Sequence, residues 1–394
     1  MRYLFLPLAL TLFISCESKD WARNDLNFAA GQLTLAMTET EKAIAENPDK
    51  NYVAPRTFND AGKLVAIPSR DWVSGFFSGE LWYMYQYTKD EKWREAAEKY
   101  TARLEPEKLN AGTHDMGFKM YCSFGNGYRL TQNEHYREVL ITSAQTLVTR
   151  FKPNAGIIRS WDHNRNQWQC PVIVDNMMNL ELLFFAFRET GDSTFYNIAV
   201  SHADKTIENH FREDFSTYHV VDYDTITGEI ITKQTHQGYA DSSAWSRGQA
   251  WAIYGFTMCY RETGDVKYLE QARKALDFVF NNKNLPADLI PYWDYDAPEI
   301  PNEPRDASAA SITASALYDL CRLDAENAGK YRAWADTILE NLSKHYKAKR
   351  GGDCGFLLLH STGSKPADSE VDKPLAYADY YFLEAMLRKL TIDN

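Results

Sequence analysis

Two aspartates stand in surroundings unlike those of the other acids of the chain. Asp175 lies in PVIVDNMMNLELLFFA, with Val172, Ile173 and Val174 before it and Met177, Met178 and Leu180 after it. Asp115 lies in THDMGFKMYCSFGNGY. Taking a carboxylate out of water disfavours its charged form, so Asp175 is expected to keep a proton above the ordinary carboxylate range and to have it available for donation. A second carboxylate at another depth is how an acid and its ionised neighbour are set apart, which makes Asp115 the candidate partner. The competing reading is that both are helix caps, since Asp is a favoured N-cap and each stands where a helix begins.

The stretch from Gln234 to Trp251, QTHQGYADSSAWSRGQAW, is the second concentration of chemistry. Ser243, Trp245, Arg247 and Trp251 cannot all face one apolar core, yet Trp245, Gln249 and Ala252 recur at helical spacing. The stretch therefore predicts a helix with a polar start and a packed body. Indole faces cover the apolar faces of a sugar ring, and a guanidinium grips a carboxylate bidentately, so this pairing suits a sugar acid. The plainer alternative is a core helix whose tryptophans are packing and whose arginine is a surface cation.

Helices must position these groups. Leu26 to Glu46 reads as an amphipathic helix closed by Pro48, Tyr52 to Ser69 as a loop, and Trp72 to Thr88 as a helix that is apolar almost all round, capped by Asp71 and carrying Gly75 and Gly79 one turn apart. Glu91 to Leu104 is amphipathic, and the pairing then recurs. Each buried-type helix ends in a polar turn with an aromatic residue three positions on: Asp90 to Trp93, Asn133 to Tyr136, Asp192 to Phe195, Asp265 to Tyr268, and Ala328 to Tyr331. Five such hairpins, with the last helix from Pro374 to Leu390 pairing with the first, predict about twelve helices in an all-α (α/α)6 toroid. Its inner members start near Trp72, Asp115, Asp175, Ser243, Ser308 and Lys373. A small β-hairpin is expected over His219 to Tyr223 and Glu229 to Lys233, and a structured loop over Pro286 to Pro304. The loops preceding the inner helices gather their N-termini, with free N–H donors, on one face, where an anionic sugar fits.

At 394 residues and 44% hydrophobic content the chain can bury a large core. A net charge of −11 and the lack of any Lys/Arg run exclude a nucleic-acid footprint. Residues 1–15, MRYLFLPLALTLFIS, read as a signal peptide, and FISC followed by ESKD makes Cys16 either a lipidated first mature residue or a bystander behind a plain secretory signal. The chain is thus expected in the periplasm or anchored at the outer membrane, as a monomer. The other five cysteines form no C-x-x-C pair, and no H-E-x-x-H, phosphate loop or dinucleotide fingerprint occurs, so neither metal nor cofactor is expected.

RDWVSGFFSGELWYMYQYT (70–88), HDMGFKMYCSFGNGYRLT (114–131), RSWD (159–162), VDNMMNLELLFFA (174–186), SSAWSRGQAWAIYGF (242–256), PRDASAASITASAL (304–317) and YADYYFLEAMLR (377–388) together resemble the bacterial unsaturated glucuronyl hydrolases from about residue 24 to the C-terminus. The resemblance implies a single (α/α)6 catalytic domain over 24–394. It would remove the 4,5-unsaturated uronic acid that lyases leave at the non-reducing end of oligosaccharides, of glycosaminoglycans foremost. It implies Asp175 and Asp115 as the catalytic pair, and Trp161, His219, Gln237, Trp245, Arg247, Trp251 and Trp72 as substrate-binding residues. Ser361, Ser364 and Lys365 resemble a loop that presents Ser and Lys to the neighbouring, sulfated sugar. Rival readings are an unsaturated rhamnogalacturonyl hydrolase acting on pectin fragments, a non-catalytic glycan-binding lipoprotein, and a sugar epimerase on the same toroid.

Overall fold

In the computed structural model, residues 14–393 are described, with side chains from Trp21 onward. The signal-like residues 1–13 and the side chain of Cys16 lie outside that range. The turns between paired helices are built the same way. A residue in the left-handed region ends the inner helix, Lys89 (φ 57°), Gln132 (55°), Gly191 (73°) or Gly264 (70°). The next residue caps the outer helix: Asp90 accepts from Lys92 N at 3.1 Å, Asn133 from His135 N at 3.0 Å, Asp192 from Thr194 N at 2.9 Å and Asp265 from Lys267 N at 3.1 Å. The aromatic residue three positions on, Trp93, Tyr136, Phe195 or Tyr268, is buried and anchors the outer helix. Tyr331 is buried likewise, but Asn327 before its helix makes no cap bond.

The outer helices so started are Glu91–Ala102, Glu134–Val148, Ser193–Asn209, Val266–Phe280 and Ala328–His345, and Ile14–Glu46 is the sixth. The inner ring is Phe76–Thr88, the continuous run Gly117–Gly125 with Asn126–Thr131, then Leu180–Thr190, Ser246–Thr263, Ala307–Leu323 and Ala376–Asp393. Each inner member packs on the next, and the last packs on the first, so the ring closes as an (α/α)6 toroid. Gly75 and Gly79 are close approaches: a Cβ on Gly75 would lie 2.3 Å from the Phe118 and Lys119 carbonyls, and one on Gly79 would meet the Tyr380 ring.

Four local differences from the sequence reading are physical. Residues 52–69 are not a loop: Tyr52–Phe58 and Leu64–Pro68 pair antiparallel, and the β-branched Val53, Thr57, Val65 and Ile67 fit that pairing. The helix expected from Trp72 opens as a 3-10 turn, Trp72–Gly75, with Asp71 capping Val73 N at 3.0 Å, before the α-helix begins at Phe76. Gly117–Gly125 is a π-helix, wider than any sequence period announces. The expected hairpin is present as Val220–Tyr223 and Ile230–Gln234, and Pro171–Ile173 adds a third strand that the sequence reading omitted.

Candidate active site

The third strand positions the centre. Ile173 pairs with Val220, and Val174 N donates to the His219 carbonyl at 3.1 Å, which fixes Asp175 and His219 on facing backbone segments. Asp175 enters a 3-10 turn, Val174–Asn179, and makes no cap bond; Asp115, just before the π-helix, makes none either. Asp115 instead accepts from Thr113 Oγ1 at 2.5 Å, and His114 Nε2 lies 3.2 Å from its other oxygen. Thr113 bridges to Trp161, and His114 N donates to the Ser160 carbonyl, so both aspartates and Trp161 share one scaffold.

The two carboxylates are pushed apart. Burial raises Asp175 to about 6, an effect that His114 and Arg247 oppose and the charge of Asp115 reinforces. Burial also acts on Asp115, but His114, the Thr113 hydroxyl and Lys119 outweigh it and hold that carboxyl below the usual range. One acid can therefore carry a proton beside an ionised neighbour, the arrangement a general acid needs.

His219 is buried, and its basicity falls far below the ordinary histidine value, through burial first and then His236 and Arg247. Its Nδ1 accepts the backbone N–H groups of both His236 and Gln237 at 3.1 Å. In a neutral imidazole with Nδ1 as acceptor the proton sits on Nε2. That Nε2–H stands 3.8 Å from Asp175 Oδ2, and among the described residues neither atom has a hydrogen-bond partner. The gap is too long for a direct bond and leaves both groups free for a bound molecule.

Arg247 is 1% exposed, and its fork is largely engaged: Nη1 donates to Asp306 at 2.7 Å and to the Thr362 carbonyl at 2.5 Å, and Nη2 to the Gly363 carbonyl at 2.5 Å. Gln237 Nε2 reaches the same Gly363 carbonyl at 3.1 Å. Trp245 lies 4.5 Å from the His219 ring, tilted by 43°, and 4.5 Å from the Arg247 guanidinium. Trp161 lies over His163 and beside His236, extending the aromatic wall outward. Trp72 is half-buried against Tyr377, which itself lies 5.3 Å from the Arg247 guanidinium. Trp251 is fully covered, between Phe118 and Tyr381, and forms the floor of the site rather than its wall.

The loop 361–373 comes to this cluster through Arg247 and Gln237. Ser361 is buried, its hydroxyl without a partner among the described residues, while Ser364 and Lys365 are partly exposed, Lys365 lying 3.8 Å from Glu303. Glu370 in the loop is paired bidentately with Arg56 Nε and Nη2, and Arg56 Nη1 donates to both Asp71 oxygens at 2.8 Å, so the strand Tyr52–Phe58 ties the loop to the turn that carries Trp72. Sequence reasoning left out Thr113, His114, Asp306 and Tyr377. The T-x-D spacing and the D-x-S at Asp306, whose carboxylate caps Ser308 N, were the signals available. Among the described residues, no three His, Cys, Asp or Glu side chains gather as a metal site would require.

Known proteins carry the same framework. The model of Glycosyl Hydrolase Family 88 matches residues 53–318. An unsaturated glucuronyl hydrolase of Formosa agariphila is 45% identical over 98% of this chain and 97% of its own. The crystal structure of an unsaturated glucuronyl hydrolase specific for heparin superposes with a TM-score of 0.89, at 43% identity over 95% of this chain and 98% of that one. A mutant unsaturated glucuronyl hydrolase of Streptococcus agalactiae, solved in complex with dGlcA-GalNAc6S, gives a TM-score of 0.76 at 26% identity over 97% and 93%. With the family model covering most of the ring and a relative aligned nearly end to end, the chain belongs to Glycosyl Hydrolase Family 88, among its unsaturated glucuronyl hydrolases.

Proposed function

We propose that this glycoside hydrolase removes the 4,5-unsaturated uronic acid from the non-reducing end of lyase-generated glycosaminoglycan fragments, with Asp175 as the acid. The observation that carries the reading is the pair of buried, unpartnered atoms, Asp175 Oδ2 and the Nε2–H of His219, facing each other across 3.8 Å. Asp175 delivers its proton to C4 of the enol ether, and positive charge develops at C5 and the ring oxygen. Water adds at C5 and returns a proton to the Asp175 carboxylate. The hemiketal opens to a ketone, leaving a hemiacetal at C1 that expels the remaining sugar as an alcohol. One water is consumed, and no enzyme nucleophile attacks C1. Asp115, ionised, orients substrate hydroxyls, Trp245 and Trp72 cover the flattened ring, and Arg247 braces the loop that reaches the neighbouring sugar.

The test is loss of the ultraviolet absorbance of the unsaturated uronate on lyase-generated disaccharides of defined sulfation. Turnover of glycosaminoglycan disaccharides above that of pectin-derived ones supports the reading; a preference for the unsaturated rhamnogalacturonyl disaccharide overturns it. The leader and Cys16 further support action outside the cytoplasm, with the chain held by lipid at Cys16. Labelled palmitate entering the native chain but not Cys16→Ser, with the latter released in soluble form, is the expected outcome.

A further inference from the structure

The axis of the toroid is closed across its middle. Phe118 lies 5.1 Å from Trp251, Trp251 5.5 Å from Tyr381, and Phe76 5.5 Å from Phe118 and 5.3 Å from Tyr380, centroid to centroid. The aspartates lie on the side of this floor where the inner helices begin. On the other side, mostly among the later turns of those helices, a cavity of about 380 Å³ opens. That is within the range of small-molecule sites.

Its chemistry is graded from inside to rim. At the inner end Glu384 accepts from Tyr83 at 2.8 Å, Tyr254 at 3.0 Å and Ser315 at 2.5 Å, with Arg388 3.3 Å away. Further out, Arg261 is ion-paired with Glu181 and, at 2.6 Å, with Asp319. Two guanidiniums at the rim differ from these. Arg129 and Arg322 are exposed, and among the described residues neither is ion-paired with a carboxylate; Arg129 donates through Nη2 alone, to the neutral amides of Gln86 and Asn126.

We propose that this far-mouth cavity is a second ligand site, and that it takes an anionic monosaccharide. A polar interior of mutually paired carboxylates, hydroxyls and guanidiniums, with tyrosine faces between them, suits a ligand that carries hydroxyls and one C–H face. An apolar ligand would cover the Arg129 and Arg322 guanidiniums at the rim without pairing them, at a cost of desolvation without return. A bare anion drawn inward would meet Glu384, Asp319 and Glu181. A sugar carrying one carboxylate or sulfate satisfies both zones, with its hydroxyls inside and its anionic group on Arg129 and Arg322. A uronate and a sulfated hexosamine share this chemistry and are separated by the test.

The full chain carrying Asp175→Asn is saturated with unsaturated disaccharide, so that the near mouth is filled, and titrated calorimetrically with glucuronate, glucosamine 6-sulfate, glucose and inorganic sulfate. The expected result is one further equivalent of at least one of the two anionic sugars per chain, bound at least about tenfold more tightly than glucose or sulfate. Adding Arg129→Gln and Arg322→Gln should weaken that binding by about tenfold or more. In the otherwise native chain, the same two substitutions should leave disaccharide turnover unchanged. No further equivalent, binding indifferent to the double substitution, or sulfate alone binding as well as the sugars would overturn the proposal.

Discussion

The two mouths of the ring each hold a carboxylate near the axis, and the two are almost equally buried: Asp175 is 7% exposed and Glu384 9%. Their surroundings differ. Glu384 receives three hydroxyls and faces a guanidinium, so its lone pairs are spoken for. Asp175 has one oxygen without a hydrogen-bond partner among the described residues, and the neutral imidazole of His219 stands beyond bonding distance from it. Burial alone therefore does not make a reactive acid; burial with an unfilled coordination does. Cavity size is no guide either, since the open far mouth holds the satisfied carboxylate.

The sharpest way to break this comparison is to remove one charge at each end. Asp175→Asn keeps the shape and loses the proton, and turnover should fall by about a hundredfold or more, as positioned acids generally contribute. Glu384→Gln should cost less than about tenfold in kcat and appear mainly as a lowered melting temperature, because it disturbs a paired network away from the substrate. Equal losses of kcat in the two variants would end the distinction.

The pH profile sharpens the same point. Asp175 must be protonated to act, and its value near 6 means that kcat/KM declines as pH rises through about 6. Asp115 must be ionised and is held below the ordinary carboxylate range, so the acid limb should lie below that of a free carboxylate. The two interact, and the limbs belong to the pair. Asp115→Asn should therefore move the alkaline limb to lower pH, since removing a negative neighbour eases ionisation of Asp175. An alkaline limb that stays in place would detach Asp115 from the acid.

Why the near mouth was legible and the far mouth was not follows from where the residues fall. Asp115 and Asp175 stand out because acids are rare inside apolar runs, and the toroid is written in the repeated Asp-x-x-aromatic turns, whose caps and anchors are local. The far cavity is assembled from residues scattered over all six inner helices, such as Tyr254, Asp319 and Glu384, each of which reads alone as an ordinary core or surface position. The π-helix at Gly117 was hidden for a related reason: it starts where Asn179, 62 residues away in sequence, packs closely against Gly117, and no sequence period records that contact. The role of Arg247 was half legible. Its place beside Trp245 could be read, but Asp306 and the Thr362 and Gly363 carbonyls, which occupy its fork, lie 59 to 116 residues away.

That engagement changes what Arg247→Lys should do. An ammonium cannot hold Asp306 and two carbonyls in the same plane, so the loop 361–373 should loosen. KM should rise severalfold with a smaller change in kcat, and the melting temperature should drop. An unchanged melting temperature would mean that the loop does not depend on this brace. Lys365→Ala tests the end of that loop. If its ammonium meets a sulfate on the neighbouring sugar, the ratio of kcat/KM between sulfated and unsulfated disaccharides should fall by about tenfold. The Glu303 carboxylate 3.8 Å away competes for the same ammonium, and equal losses on both substrates would assign Lys365 to Glu303 instead.

The smallest effect belongs to a third kind of buried carboxyl, set in the wall between the mouths. Glu80 on Phe76–Thr88 is 1% exposed and has one oxygen unpartnered, yet it lies away from both the aspartate site and the far cavity. Burial first, and then the charge of Asp379, raise it well above the ordinary glutamate range. Both oxygens of Asp379 accept backbone N–H groups, from Leu357 at 2.8 Å and Leu358 at 2.9 Å, so the charge of the pair is best held there and the proton on Glu80. The sign follows from linkage. A carboxyl whose folded value is raised gives its full stabilisation below the unfolded value, near 4, and loses it as pH rises through the folded value. Glu80→Gln cannot ionise, so melting temperatures of the variant and the native chain should nearly coincide below about pH 4 and diverge progressively as pH rises above it, the variant melting higher by about a few degrees. A variant that melts lower by the same margin at every pH would show that the glutamine amide is simply a worse fit, and that no proton is taken up by this pair on folding.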